Sequence, residues 1–168
     1  MEERKRVLSL LVDNTSGVLS RVSGLFSRRG YNIDSLTVGV TADPRYSRMT
    51  VAVRGDDQIL EQIEKQLGKL VDVLDIKCLD EGEYVARELV LVKVRVSDVQ
   101  RQAVISIANI FRANIVDVAS DSLIIELTGN QSKLDAFIKL LEGYEILELA
   151  RTGITGLSRG SDNVRYLD

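Results

Sequence analysis

One hydrophobic pattern occurs twice in this chain, and it restricts the fold more than any single motif. Val7-Leu8-Ser9-Leu10-Leu11-Val12 is a nearly continuous apolar run, as expected of a buried strand. Val18, Leu19, Val22, Leu25 and Phe26 follow at helical spacing, so one helix face turns inward. Arg28-Arg29-Gly30 ends that helix, with cations at its negative end and a glycine stop. Ile33, Leu36, Val38 and Val40 alternate with polar or small residues in a half-exposed strand. Asp43-Pro44-Arg45 is a turn, and Met49, Val51 and Val53 mark the next strand. Gly55-Asp56-Asp57 supplies a helix cap, Ile59, Leu60, Ile63, Leu67 and Leu70 form a second amphipathic helix, and Leu74, Ile76 and Cys78 a fourth strand.

After the polar break Asp80-Glu81-Gly82-Glu83 the order returns. Leu89–Val96 reads as a strand, and Val99, Ala103, Val104, Ile107, Ala108 and Phe111 as a helix face. Ile115–Val118 and Leu123–Leu127 are a strand pair, Leu134, Phe137, Ile138 and Leu141 a helix, and Ile146–Leu149 a last strand. Arg112-Ala113-Asn114-Ile115 echoes Arg29-Gly30-Tyr31-Asn32-Ile33. Two copies of β-α-β-β-α-β imply an α+β protein of two ferredoxin-like domains. The expected domains are residues 1–80 and 84–160, followed by a polar, mobile tail at 161–168.

The first strand–helix junction, Asp13-Asn14-Thr15-Ser16-Gly17-Val18-Leu19, is the best candidate for chemistry. A helix start offers backbone N–H groups that favour an anion. The turn adds Asn14 and Gly17, with apolar residues directly behind. That combination suits a small ligand with a carboxylate, an amine and an apolar side chain. Taken singly, Asn14 and Asn32 read as turn residues, Val18 and Leu19 as core, and Gly17 as a tight start to the helix. Their joint occurrence argues for a site, with both asparagines expected near one end of the sheet, within one chain or across a dimer. The second repeat has Val96-Ser97-Asp98-Val99 instead, which lacks Asn and Gly and is expected only to cap its helix.

Composition removes several classes. The 168 residues contain no His and one Cys, so a His-based triad, a His zinc site and an internal disulfide are ruled out. Cys78 is expected to be a buried strand residue. A net charge of −3 argues against nonspecific nucleic-acid binding. The charged start Met1–Arg6, and apolar runs far shorter than a membrane helix, lead us to expect a soluble, cytoplasmic protein.

The junction, the segment Arg28–Ile33 and the strand order resemble the ACT domain, an amino-acid-binding regulatory module. Longer stretches are similar to the regulatory (small) subunits of acetolactate synthase, also called acetohydroxyacid synthase. They are Leu19–Val38, Ser47–Thr50, Leu60–Leu67, Lys69–Val73, Arg87–Leu89, Lys133–Phe137, Ala150–Gly153 and Gly156–Gly160. Asp98–Ile110 is less typical. The resemblance implies a non-catalytic subunit that activates a catalytic subunit and confers feedback inhibition, usually by valine, in valine, leucine and isoleucine biosynthesis. Thiamine diphosphate, Mg²⁺ and FAD would belong to that partner, and this chain would carry no cofactor or metal. It implies a homodimer through the ACT domains. The valine ligands would be Asn14, Gly17, Val18, Leu19, Asn32 and Ile33. Arg151, Arg159 and Leu157–Gly160 would be candidate contacts for the catalytic subunit. Acylphosphatases share the strand order, but the first loop lacks their Arg; an RNA-binding RRM would need aromatics on its central strands. A sensor serving another enzyme or a transcriptional circuit is the closer rival, although no DNA-reading helix-turn-helix is evident.

Overall fold

In the computed structural model, which describes residues 2–161, the chain forms two compact units. One holds residues 2–85 together with residues 154–161; the other is Ala86–Gly153.

The first unit begins with β1 (Arg4–Asp13), α1 (Val18–Arg29), β2 (Asn32–Val40), β3 (Tyr46–Gly55), α2 (Asp57–Gly68) and β4 (Val73–Leu79). Its sheet is antiparallel in the order β2-β3-β1-β4, so the apolar run of β1 lies next to the centre. Leu8, Leu10 and Val12 share one face with Met49, Val51 and Val53, and the inward faces of both helices close over them. Val22, Phe26, Leu60, Ile63 and Leu67 are the helix residues at the expected 3.6 spacing. Gly30 ends α1 in the left-handed region (φ 67°), and Tyr31 N–H returns to the Phe26 carbonyl at 3.0 Å.

The second unit repeats the plan with β5 (Tyr84–Arg95), α3 (Asp98–Ile110), β6 (Asn114–Val118), β7 (Ser122–Gly129), α4 (Gln131–Leu140) and β8 (Glu145–Arg151). The strand order is β6-β7-β5-β8. Val90, Val92 and Val94 pack with Leu123, Ile125 and Leu127 beneath Val104, Ala108, Leu134 and Phe137. The repeat extends to the backbone. Arg112 takes the place of Gly30 in the left-handed region (φ 56°), and Ala113 N–H returns to the Ala108 carbonyl at 2.9 Å.

Two expectations change. Residues 154–160 are not part of the second compact unit. Thr155–Ser158 form a ninth strand, β9, which pairs β5, and Ile154 and Gly156 are buried within the first unit. Hydrogen bonds to Thr37 and Thr50 draw this otherwise polar segment in. Cys78 is exposed on β4, an edge strand, rather than buried. The expected tail lies almost wholly outside the described residues. Among the described residues no helix is long and apolar enough to cross a membrane.

The loop after β1 is held by contacts from distant sequence. Asp13 N–H donates to the Asp72 carbonyl at 2.9 Å, and Asn14 N–H to the Arg45 carbonyl at 2.7 Å. Arg21, one turn into α1, makes a two-pronged ion pair with the Asp72 carboxylate at 2.5 and 3.1 Å. The hydrogen bonds from Arg21 hold the Asp72 carboxyl below the ordinary carboxylate range.

Replacing Arg112 with glycine removes the steric cost of a left-handed side chain. Arg112→Gly is expected to raise the unfolding free energy by roughly 0.5–1 kcal/mol in urea titrations. The lowered Asp72 pKa means that its ion pair contributes at neutral pH and is lost as pH falls through that lowered value. Amide resonances of Asn14–Gly17 should therefore shift below about pH 4 in the native protein and lose that step in Asp72→Asn.

Candidate functional site

Gly17 is the N-cap of α1, with φ 88°, a conformation that side-chain-bearing residues rarely adopt. It offers no capping side chain, and the first turn of α1 carries no acid. Among the described residues α1 alone of the four helices starts this way. Asp56 caps α2 by accepting from Ile59 N–H, and Asn130 caps α4 by accepting from Lys133 N–H. Ser97 and Gln100 form a reciprocal capping box at α3. The junction of the second repeat is therefore closed by its own side chains, as its sequence suggested. That of the first repeat leaves the positive end of α1 without an internal anion.

Asn14 is exposed, and its side-chain amide donates to the Pro44 carbonyl at 2.9 Å in the β2–β3 hairpin. That bond turns Asn14 toward β2 and leaves its Oδ1 as the acceptor of interest. Val18 is only 3% exposed and belongs to the core, so its side chain is closed to a ligand; its backbone N–H makes a long, 3.5 Å contact with the Thr15 carbonyl. Leu19 is 48% exposed and is the apolar side chain presented at the junction.

Asn32 and Ile33 do not join this group within one chain. Asn32 pairs with Arg54, which pairs with Lys5 near the start of β1; the junction follows Asp13 at the far end. The two asparagines are separated by about eight residues of strand, on the order of 26 Å. The expectation that both lie at one end of one sheet is thus corrected: β2 runs antiparallel to β3 and begins at the opposite end. Asn32 is exposed, with its amide 3.5 Å from the Asp34 carboxylate, while Ile33 packs against the core.

The two guanidinium groups nearest the junction are both paired. Asp72 engages Arg21, and Asp43 engages Arg45 at 2.6–3.1 Å. Hydrogen bonds from Arg45 lower the Asp43 pKa, and the Asp72 contact raises that of Arg21. A Cβ at position 17 would fall 2.9 Å from Arg21 Nη1. Arg21 is four residues after Gly17, so helical spacing places it there; Asp72 and Pro44 come from distant loops that no local pattern announces.

The residues proposed for contact with a partner also divide. Arg151 is committed to its own unit, bonding the buried Glu88 carboxylate at 2.8 and 3.0 Å and Asp135 at 2.9 Å. Those bonds, led by Glu88, raise its pKa above the ordinary guanidinium value. Leu157 is 62% exposed, and Arg159 is exposed with its backbone N–H on the Glu83 carbonyl. On the second unit, Leu91, Lys93, Ile124, Glu148, Leu149 and Ala150 line an open groove crossed by a Lys93–Glu148 ion pair.

Comparison with known proteins identifies the family. Residues 8–75 match the family described as AHAS small subunit-like ACT domain, and residues 87–160 the small subunit of acetolactate synthase. The chain is 52% identical over 161 residues to the acetolactate synthase small subunit of Haemophilus influenzae, covering 95% of this chain and 99% of the relative. It is 51% identical over 162 residues to the isozyme 3 small subunit of Escherichia coli, covering 96% and 99%. The crystal structure of the small subunit from Thermotoga maritima superposes with a TM-score of 0.87 at 44% identity, covering 94% of this chain and 99% of that one. The chain belongs to the family of acetolactate synthase small subunits.

Proposed function

We propose that this chain is the non-catalytic regulatory subunit of an acetolactate synthase, activating the catalytic subunit and imposing feedback inhibition by valine. The observation that carries the sensing role is the α1 start: a left-handed glycine, no side-chain cap, an asparagine beside it and an exposed leucine. Carbon–carbon bond formation would rest on thiamine diphosphate, Mg²⁺ and FAD in the partner. A cytoplasmic location follows from that biosynthetic role.

In this reading the valine carboxylate takes the backbone N–H groups at Val18 and Leu19, which the macrodipole favours. Asn14 Oδ1 accepts from the ammonium, and the isopropyl group lies on Leu19. Burying that group contributes roughly 1.5–2 kcal/mol and each charge-assisted bond roughly 1.5–3, less the cost of association.

Asn32 joins the site only from a second chain, and the topology supplies a route. β2 is an edge strand. Val40 at its end pairs with Ser47, which pairs with Val12, so this end lies level with the junction. Two chains that pair antiparallel through β2 bring Asn32 of one beside Val40 of the other, and so toward Asn14. Exposed Val38 and Val40 suit that pairing. One ligand then bridges two chains, and its binding biases dimer geometry.

Gly17→Asp places a carboxylate at the helix start, where it caps the helix, competes for Arg21 and repels the ligand. Calorimetry should show valine binding weakened roughly 100-fold, equivalent to losing one to two charge-assisted bonds. Activation of the catalytic subunit should persist. Wild-type affinity in Gly17→Asp would move the site elsewhere. Asn32→Ala should weaken binding roughly tenfold, the value of one such bond, and an unchanged isotherm would remove Asn32 from the site.

A further inference from the structure

The segment from Ile154 to Ser158 lies on the face of the first sheet opposite its helices, and that face differs from a core. Ser9 and Thr50 are buried there, and Arg48 Nη1 donates to Ser9 Oγ at 2.9 Å. Burial lowers the Arg48 pKa, and Asp75 opposes that effect. Ile154 is buried, β9 pairs β5, and two threonine hydroxyls add side-chain bonds to the segment. Thr37 on β2 donates to the Ile154 carbonyl at 3.0 Å, and Thr50 on β3 accepts from Gly156 N–H at 3.3 Å. Gly156 permits the close fit: a Cβ there would lie 3.2 Å from both Leu79 Cδ1 and the Val85 carbonyl.

The chain immediately before this segment is also fixed. Arg151 is clamped by Glu88 and Asp135, and Thr152 N–H donates to the Leu89 carbonyl at 3.0 Å. Only Gly153, left-handed at φ 81°, separates the two sets of anchors. A displacement of the segment therefore reaches Arg151 with little slack.

We infer that Ile154–Ser158 is a regulatory strap. Through Thr37 it ties β2, the strand on which the effector site depends, to the anchored end of β8. The strap carries the effector's signal from the sensing unit into the rest of the chain. This rests on the sensing role proposed above. Thr37 is a positioning residue, with no part in valine binding itself.

The test uses the holoenzyme reconstituted with its catalytic subunit, with valine as the probe. Thr37→Val keeps the shape and removes the hydroxyl. Its activity without valine should stay within about twofold of wild type and its valine affinity by calorimetry within about threefold. Its half-inhibitory valine concentration should rise at least about tenfold, within the usual range of coupling between sites. Thr37→Ser, which restores the hydroxyl, should recover wild-type inhibition. If Thr37→Val misfolds, two glycines inserted after Gly153 slacken the link without touching either anchor and should give the same result. Wild-type inhibition in the folded variant overturns the strap, as does failure of Thr37→Ser to rescue, or loss of valine binding in Thr37→Val. A native protein that binds and responds to valine while these variants behave like it sinks the strap alone. A native protein with no saturable binding sinks the sensing role and the strap together.

Discussion

A four-stranded sheet has two faces, and two short helices cover only one of them. Everything distinctive in this chain follows from how it treats the other face and the edges. In the first unit the helices close over Leu8, Leu10, Val12, Met49, Val51 and Val53. The remaining face carries hydroxyls and a guanidinium and takes up a strand from the far end of the sequence. In the second unit the corresponding face stays open, with Leu91 and Leu149 about two-fifths exposed beside a Lys93–Glu148 pair. One fold, used twice, thus gives one sheet that is latched and one that is free to meet another surface.

The repeats diverge at the same structural point, the step from first strand to first helix. In the second, Ser97 and Gln100 satisfy the helix start with their own side chains, and the junction is chemically finished. In the first, Gly17 turns the chain through a conformation that supplies no cap, and Arg21 and Asp72 hold the loop from the side. Bracing from a distance holds the loop without a side-chain cap at the helix start. An ordinary N-cap, typically worth about 1 kcal/mol, is absent there.

Element identity was readable because period and punctuation agree: 3.6-spaced apolar residues in Val18–Phe26, alternation in Met49–Val53, and Gly30 at a helix end. Loop Asp13–Leu19 was readable as well, since Asn, Gly and a helix start fall within seven residues. What sequence could not supply was the end of the sheet at which each piece lies. Asn14 and Asn32 look like partners by type, yet antiparallel register puts them at opposite ends. Arg151 looks like a free cation until the fold brings Glu88 to it across 63 positions. Strand β9 hid for a related reason. Its Thr-Gly-Leu-Ser has no periodicity of its own, and only its pairing with β5 makes it a strand. Cys78 was misjudged because an edge strand exposes residues that a central strand buries.

The charge balance of the junction also bears on what it recognises. A free guanidinium beside a helix start would draw phosphate or any other small anion. Here Asp72 offsets the charge of Arg21 and Asp43 that of Arg45, so the attraction for an anion comes mainly from the backbone dipole, with Arg21 Nη1 beside position 17. That field is short-ranged and directional, strong enough for one carboxylate but without the net positive charge that would repel an ammonium group. A zwitterion gains at both of its ends in such a place, whereas a dianion gains at one and meets two carboxylates nearby. Under the sensing role proposed above, the same pairing that stiffens the loop would favour an α-amino acid over a phosphate, and the exposed Leu19 one with an apolar side chain.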